Sequence, residues 1–178
     1  MTRGIFAVLA FALIAVLATT PLCAQSAPQG QTGVAPPPPP QTMDLATAKR
    51  MVFAAENAAT VMNAHVAICV LDSNGDVVFY ERMDTAASRA VISAQGKARA
   101  ALLFGLPTAQ IAEAMRGSKP VSVTLTPPVA GNWELTFQQG GLPIIKDGKV
   151  IGAIGASGSA TANDEKFAQA GIDATMGK

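Results

Sequence analysis

Residues 140–171, "GGLPIIKDGKVIGAIGASGSATANDEKFAQAG", hold the pattern that decides the fold. Two β-rich apolar runs flank Asp147-Gly148, and both residues of this dipeptide readily adopt the positive φ angles of a tight hairpin turn. After the second run, Thr161 is followed three residues later by Asp164, which is the spacing of a capping box at the start of a helix. The stretch therefore predicts a β-hairpin that leads directly into a helix.

A second hairpin is predicted earlier in the chain, in "HVAICVLDSNGDVVFYERMD". Its β-rich runs, 65–72 and 76–82, are joined by Asn74-Gly75, a dipeptide typical of a type I′ turn. A fifth strand is predicted from Trp133 onward, because apolar and polar side chains alternate in "WELTFQQGG".

Four helices are predicted around these strands. The first begins after Asp44, a suitable N-cap, and the second, "SRAVISAQGKARAALLFG", ends at Gly105. A short helix follows with Thr108 as its N-cap, and the last helix is predicted over 162–175. Together these elements predict an α+β domain of two layers, with helices packed on one face of a five-stranded antiparallel sheet.

The chain that precedes this domain has the composition of an export signal and a linker. Residues 1–24 carry one basic residue, then an apolar run from 5 to 18 that is too short to span a bilayer, then small residues suited to cleavage. Residues 25–42 are uncharged and rich in proline, which predicts a disordered linker. We expect cleavage near Ala24 and a periplasmic or secreted domain over 43–178, with a retained N-terminal anchor as the alternative.

Charge and cysteine content exclude several classes of protein. Cleavage would remove only Arg3 among the charged residues and leave 12 basic and 12 acidic residues, so there is no case for nucleic-acid binding. The mature domain holds no apolar run long enough to span a membrane. Cys69 would be the only cysteine left, which rules out an intramolecular disulfide and favours a buried small hydrophobe.

The glycines of "IGAIGASGSAT" do not complete a known nucleotide or nucleophile motif. The spacing of Gly152, Gly155 and Gly158 fits neither a P-loop nor a dinucleotide fingerprint. A nucleophile elbow centred on Ser157 fails because Ser159 stands where the final glycine belongs. Two interpretations stay open: the start of the last helix binds an anion such as a carboxylate, or its own side chains cap it and the glycines are scaffold.

Four segments in this order and spacing resemble the GlcG/HbpS family, a haem-binding or haem-degrading domain family that also provides the C-terminal domain of PduO proteins. They are "VAICVLDSNGDVVFYERMDTA", "SAQGKARAALLFGLPT", "GGLPIIKDGKVIGAIGASG" and "NDEKFAQAG", and the resemblance covers about residues 43–176. It implies a profilin-like fold with a five-stranded antiparallel sheet, and self-association from dimers to octamers. It also implies haem as a cofactor in the secreted branch, where one member partners a sensor kinase.

The resemblance and the residue chemistry together give a set of candidate site residues. Lys97 and Arg99 are candidates for haem propionates, with solvated surface charges as the alternative. His65 is the obvious iron ligand by chemistry, although a lone histidine at a strand start is more often structural. The ligand-binding candidates are Lys97, Arg99, Gly140, Gly141, Gly155, Ser157, Gly158 and Ser159, with Gly140 and Gly141 taken to end a strand.

Three functions remain open at this stage. The first is an exported small-molecule binder, for haem or a related tetrapyrrole, and the resemblance favours it. The second is an enzyme of haem or small hydroxy-acid metabolism, although the sequence holds one histidine and shows no Ser-His-Asp, Cys-His or metal-ligand cluster. The third is an oligomeric assembly or signalling partner without catalysis.

Overall fold

The computed structural model describes residues 43–124 and 133–177, so the predicted leader (1–24) and linker (25–42) lie outside the described residues. The helices are α1 (Leu45–Val61), α2 (Ser88–Phe104), α3 (Thr108–Arg116) and α4 (Thr161–Met176). The strands are β1 (Ala67–Asp72), β2 (Val77–Arg82), β3 (Gly141–Lys146) and β4 (Lys149–Ser157). No helix in these two ranges has the length and apolar character needed to cross a membrane.

Among the described residues the sheet has four strands in the order β2-β1-β4-β3, and every neighbouring pair is antiparallel. The α+β class and the antiparallel sheet are therefore confirmed. Both predicted hairpins form, and β1 and β4 pair along their length, from Ala67 opposite Ser157 to Asp72 opposite Gly152. The profilin-like likeness stays a prediction.

The predicted fifth strand at Trp133 is wrong, because residues 133–137 join no strand ladder. Their side chains are held by other contacts instead. The Trp133 ring lies against Gly75 and 5.3 Å from the Arg99 guanidinium, and the Phe137 ring lies 6.0 Å from that of Phe104. Thr136, on the polar side of the alternation, packs as well, against Gly96 of α2, so the alternation marks the packed side chains only in part. The backbone of 133–137 runs past α2 without strand pairing.

The helices cover both faces of the sheet, so the prediction that they pack on a single face is wrong. Alternate residues of β1 explain this arrangement: Ile68 and Val70 belong to the core cluster that α1 and α4 form with the sheet, whereas Cys69 and Leu71 pack with the alanines of α2. Burial raises the pKa of the Cys69 thiol to about 12, which fits a small buried hydrophobe and not a reactive thiol.

The turns and caps agree only partly with the sequence. Asp147 and Gly148 have φ angles of 50° and 72°, as the tight turn requires, and the Asp44 carboxylate accepts from Thr47 N–H at 2.8 Å as the predicted N-cap. In the first hairpin only Gly75 has positive φ, because the Asp72 carboxylate accepts from the N–H groups of Asn74 and Asp76, so the turn is not type I′.

Thr108 does not cap α3. Pro107 occupies the N-cap position, and the buried Thr108 hydroxyl instead accepts from the Gly141 N–H at 3.0 Å. Gly140 and Gly141 were expected to end a strand, but Gly141 is the first residue of β3. The Thr108 contact therefore ties the start of α3 to the start of β3, next to the candidate site.

Candidate functional site

Two adjoining cavities of about 330 and 590 Å³ lie among helices α2, α3 and α4. Gln138 and Thr161 line both cavities. We call them together the α2–α4 groove. The smaller cavity is lined by Ala87, Arg89, Ala90, Ser93, Gln138, Ser157, Gly158, Ser159, Thr161 and Asp164. The larger one is lined by Ala109, Ala112, Met115, Arg116, Phe137, Gln138, Gln139 and Thr161.

The groove is polar at one end, and at the other end an apolar patch lies beside polar side chains. The polar end is built from the first turns of α2, the turn between β4 and α4, and the first turn of α4. We call the other end the apolar end for its patch, formed by Ala112 and Met115 of α3 and by the Phe137 ring, although Arg116, Gln138 and Gln139 line it as well. Such a groove suits a ligand that has an apolar body and charged or polar substituents on one side.

Both helices that start at the polar end lack a side-chain cap. Ala87 and Ala160 occupy the N-cap positions of α2 and α4, and neither has a side chain that can accept a hydrogen bond. The capping box predicted from Thr161 and Asp164 is therefore wrong: Thr161 is exposed and makes no cap bond, and Asp164 pairs with Lys97 and accepts from the N–H of Ser159, which precedes the N-cap. Uncapped N-terminal N–H groups and the helix dipole favour an acceptor group at this end.

A buried ion pair forms the floor of the polar end. Lys97 Nζ lies 2.8 Å from Asp164 Oδ2 and donates to the Ala156 carbonyl oxygen at 2.9 Å, and the two charged side chains are only 1% and 2% exposed. The other carboxylate oxygen accepts from the Ser159 N–H at 2.9 Å. Burial raises the pKa of Asp164, and the hydrogen bond and charge of Lys97 oppose that rise.

Glycines let the backbone close around this pair. A side chain at Gly140, which has a φ of 127°, would place its Cβ 2.8 Å from Lys97 Nζ, and one at Gly141 would strike the Lys97 backbone carbonyl. Gly155 fills the same role where β4 meets α2, since its Cβ would collide with the Ala94 carbonyl. These three glycines therefore serve close packing around Lys97 and α2, and none of them lines the groove.

The other predicted site residues divide into two groups. Ser157, Gly158 and Ser159 line the polar end of the groove. Arg99 lies under the Trp133 ring and His65 is exposed, and neither belongs to the groove lining. The alternative that Lys97 is a solvated surface charge is wrong, because its side chain is buried and paired.

Several groove residues were missed in the sequence. Arg89 and Arg116 are exposed cations of the lining, and Met115 and Gln138 line it as well. The helical spacing in "TAQIAEAMRG" was the available signal for Met115 and Arg116, because they follow Ala112 by three and four residues and so share one face of α3 with it. Arg89 had no such signal, since its neighbours are small residues at the start of a helix.

The donor atoms available to a metal are few. No group of three His, Cys, Asp or Glu side chains within residues 43–124 and 133–177 could hold a metal ion. The neutral side-chain donors of the groove lining include the Met115 thioether and the hydroxyls of Ser93, Ser157, Ser159 and Thr161. No histidine is among the described lining residues of either cavity.

Comparison with known proteins decides the family. The profile of the family described as "Haem degrading protein HbpS-like" matches residues 43–173. The chain belongs to this HbpS-like family. The Escherichia coli K12 protein GlcG is 34% identical over 110 residues, which cover 62% of this chain and 77% of GlcG. The resemblance to the GlcG/HbpS family is therefore confirmed.

Two solved structures show the same fold. A double mutant of HbpS from Streptomyces reticuli superposes with a TM-score of 0.64 at 26% identity, over 83% of this chain and 92% of that one. A structure titled as a PduOC:haem complex gives a TM-score of 0.64 at 21% identity, over 74% of this chain and 94% of that one. At that identity the second likeness shows the fold.

Proposed function

We propose that this HbpS-like protein is exported and binds haem or a related tetrapyrrole in the α2–α4 groove. The observation that carries the proposal is that an apolar patch on α3 adjoins a polar end with two uncapped helix starts and Arg89. A tetrapyrrole has the matching division, since its ring is flat and apolar and its propionates lie on one edge. The family description and the haem complex of PduOC point to the same ligand class.

The lining residues would share the work of binding. Ala112, Met115 and Phe137 would pack on the macrocycle, and Arg89 would pair with the propionates at the polar end. Met115 or Thr161 would be the side chains available to hold the iron. Haem, when bound, would supply the redox chemistry, and these side chains would bind it, orient it and limit the access of water.

Titration of the purified mature protein with haemin, followed at the Soret band, tests this proposal. Ala112→Trp fills the apolar end and is expected to weaken haemin binding at least tenfold, since bulk at the centre of a site removes more than 1.4 kcal/mol of contact. Gln110→Trp is the matched control, because Gln110 is exposed on α3 and does not line the groove. Equal affinities of these two variants would place the ligand elsewhere.

Export and self-association belong to the same proposal. The basic start and short apolar run of residues 1–24 support export, and the habits of the family support an oligomer of two to eight subunits. An exported haem binder has use for a sensor partner, as in the secreted branch of the family. Exported protein whose N-terminal sequence starts at Met1 would refute signal cleavage.

The enzyme of haem or hydroxy-acid metabolism remains the second candidate. The smaller, polar cavity of about 330 Å³ has the size of a small-acid site, and Arg89 would hold a carboxylate there. Turnover would need a general acid or base in the groove, and Asp164 is already committed to Lys97. Saturable haemin binding without product formation in the presence of a reductant would favour the binder.

A further inference from the structure

The charged side chains that line the α2–α4 groove differ in their exposure and in their ion-pair partners. Arg89 and Arg116 are exposed, and within the described parts of the chain neither has an acidic partner within 4 Å. Asp164 is the single acidic residue of the lining. An uncompensated carboxylate at that position would repel an anionic ligand and offset the attraction of Arg89.

The positive charge of Lys97 offsets the negative charge of Asp164 and so removes that repulsion. Its ammonium group lies 2.8 Å from Asp164 Oδ2, under the groove floor and not among the lining residues. Because Lys97 is 1% exposed and already bonded to Asp164 and the Ala156 carbonyl, it is not placed to touch a ligand. The pair is closed over by Gly140, whose φ of 127° admits no ordinary side chain.

We propose that Lys97 is a specificity-determining residue of the groove, which makes it selective for anionic ligands by cancelling the charge of Asp164. The positive charges of Arg89 and Arg116 then make the electrostatic potential in the groove positive. Lys97 acts through Asp164, so it is a positioning residue and makes no ligand contact of its own. This inference rests on the proposed function, because it assigns the ligand class of the same groove.

The two partners of the pair have opposite effects under this proposal. Lys97→Met leaves the Asp164 carboxylate without compensation, so selectivity for an anion falls, most of all at high pH where the carboxylate is ionised. Asp164→Asn removes the negative charge and keeps an oxygen for Lys97, so selectivity stays at the level of the parent or rises. A purely structural role of the pair would instead damage the groove in both variants alike.

The test compares haemin with haemin dimethyl ester, which has the same ring and iron but no carboxylates. Affinities are measured at pH 7 and pH 9 for the parent, Lys97→Met, Asp164→Asn and the double variant, and the ratio of haemin to ester affinity is the readout. We expect the parent to favour haemin, Lys97→Met at pH 9 to lose about tenfold of that ratio, and the double variant to regain it. Because haemin and its ester have the same ring and iron, a change in ring packing or in iron binding alters both affinities alike and leaves their ratio unchanged.

Two results would overturn the proposal. One is a ratio in Lys97→Met that equals that of the parent at pH 9. The other is a ratio in Asp164→Asn that falls below that of the parent, and this variant decides alone if Lys97→Met does not fold. The proposed function fails separately if the parent binds neither haemin nor the ester. In that case inorganic phosphate is used as the anionic probe. A rise in the Tm of the parent when phosphate is added, kept in Asp164→Asn, would support the role of Lys97. No rise in the Tm of the parent would refute that role.

Discussion

At the scale of single residues, the turn from β4 into α4 is the part of the site that substitutions can probe most cleanly. Gly158 and Ala160 stand on either side of Ser159 in this turn. Gly158 has a φ of 139°, and a Cβ there would lie 2.9 Å from Val66 Cα and collide with the His65 carbonyl. Ala160 is exposed and holds the N-cap position without offering a cap.

Gly158→Val is expected to destabilise the fold by about 2 kcal/mol whether or not ligand is present, because the strained backbone and the His65 carbonyl leave no room for a side chain. Gly148→Ala is the control, since its φ is also positive, at 72°, but nothing lies within 4 Å of the added Cβ. Thermal or urea unfolding gives both values. A Gly158→Val variant as stable as the parent would return this glycine to the ligand-binding candidates.

Ala160→Asp is expected to stabilise the protein by about 1 kcal/mol and to weaken haemin binding, because the new carboxylate caps α4 and occupies the N–H groups offered to a propionate. Ala160→Ser, which caps without a charge, should stabilise similarly and weaken binding less. Unfolding curves and Soret titrations of the three proteins check both effects. Stabilisation together with unchanged haemin affinity would mean that the helix start makes no contact with the ligand.

The burial of Lys97 could not be predicted from its own neighbourhood. A lysine between small residues of a helix ordinarily reaches water, and its partner Asp164 is 67 residues away along the chain. Only the fold brings them together. The glycines carried better information: a side chain on Gly141 or Gly155 would collide with the backbone of α2, the kind of close approach that glycine in a strand indicates.

At the scale of elements, the sequence predicted the features that depend on neighbouring residues alone, namely hairpin turns and helix ends. The hairpin at Asp147-Gly148 and the ends of α2 follow from turn geometry and helix termination, and the observed Ser88–Phe104 agrees with the prediction. Residues 133–137 show where the prediction of strands from alternating side chains fails. Trp133 is half-buried through its contact with Arg99 of α2 and not through strand pairing. Thr136, on the polar side of the alternation, is half-buried as well, against Gly96.

The contact between α1 and β2 yields a pH prediction. Burial raises the pKa of Glu81, and the neighbouring Glu56 carboxylate raises it further. Because the folded state then holds this proton more tightly than the unfolded state, the contribution of the pair to stability falls as the pH rises through the pKa of Glu81 in the folded state. Glu56→Gln should therefore raise the Tm at pH 7, and the gain should shrink towards pH 4. A gain that grows on acidification would contradict this account.

At the scale of the whole molecule, the sequence predicted the class but not the layering. Every residue of β1 is buried, a pattern that requires cover on both faces, whereas helices on one face would leave alternate residues exposed. The apolar run "AICVL" carried this information in the sequence. The groove itself was beyond prediction, since it forms between elements from three distant parts of the chain.

The exposed apolar surface supports a prediction about assembly. Phe53 is 64% exposed and Val61 is 83% exposed on α1, and Val77 at the sheet edge is 45% exposed. We expect these side chains to be covered in an even-numbered oligomer, as the family resemblance implies. Light scattering at micromolar concentration should give a multiple of the subunit mass, and Phe53→Ser should lower it. A parent protein of monomer mass would contradict the prediction.

The most direct test of the account is a crystal structure of the mature protein with haemin bound. We predict the macrocycle between the α3 face at Ala112 and the Phe137 ring, with its propionates directed to Arg89 and the start of α4. Lys97 should still be paired with Asp164 beneath it. Haemin bound against His65 or on the exposed face of α1, with the α2–α4 groove left empty, would contradict it.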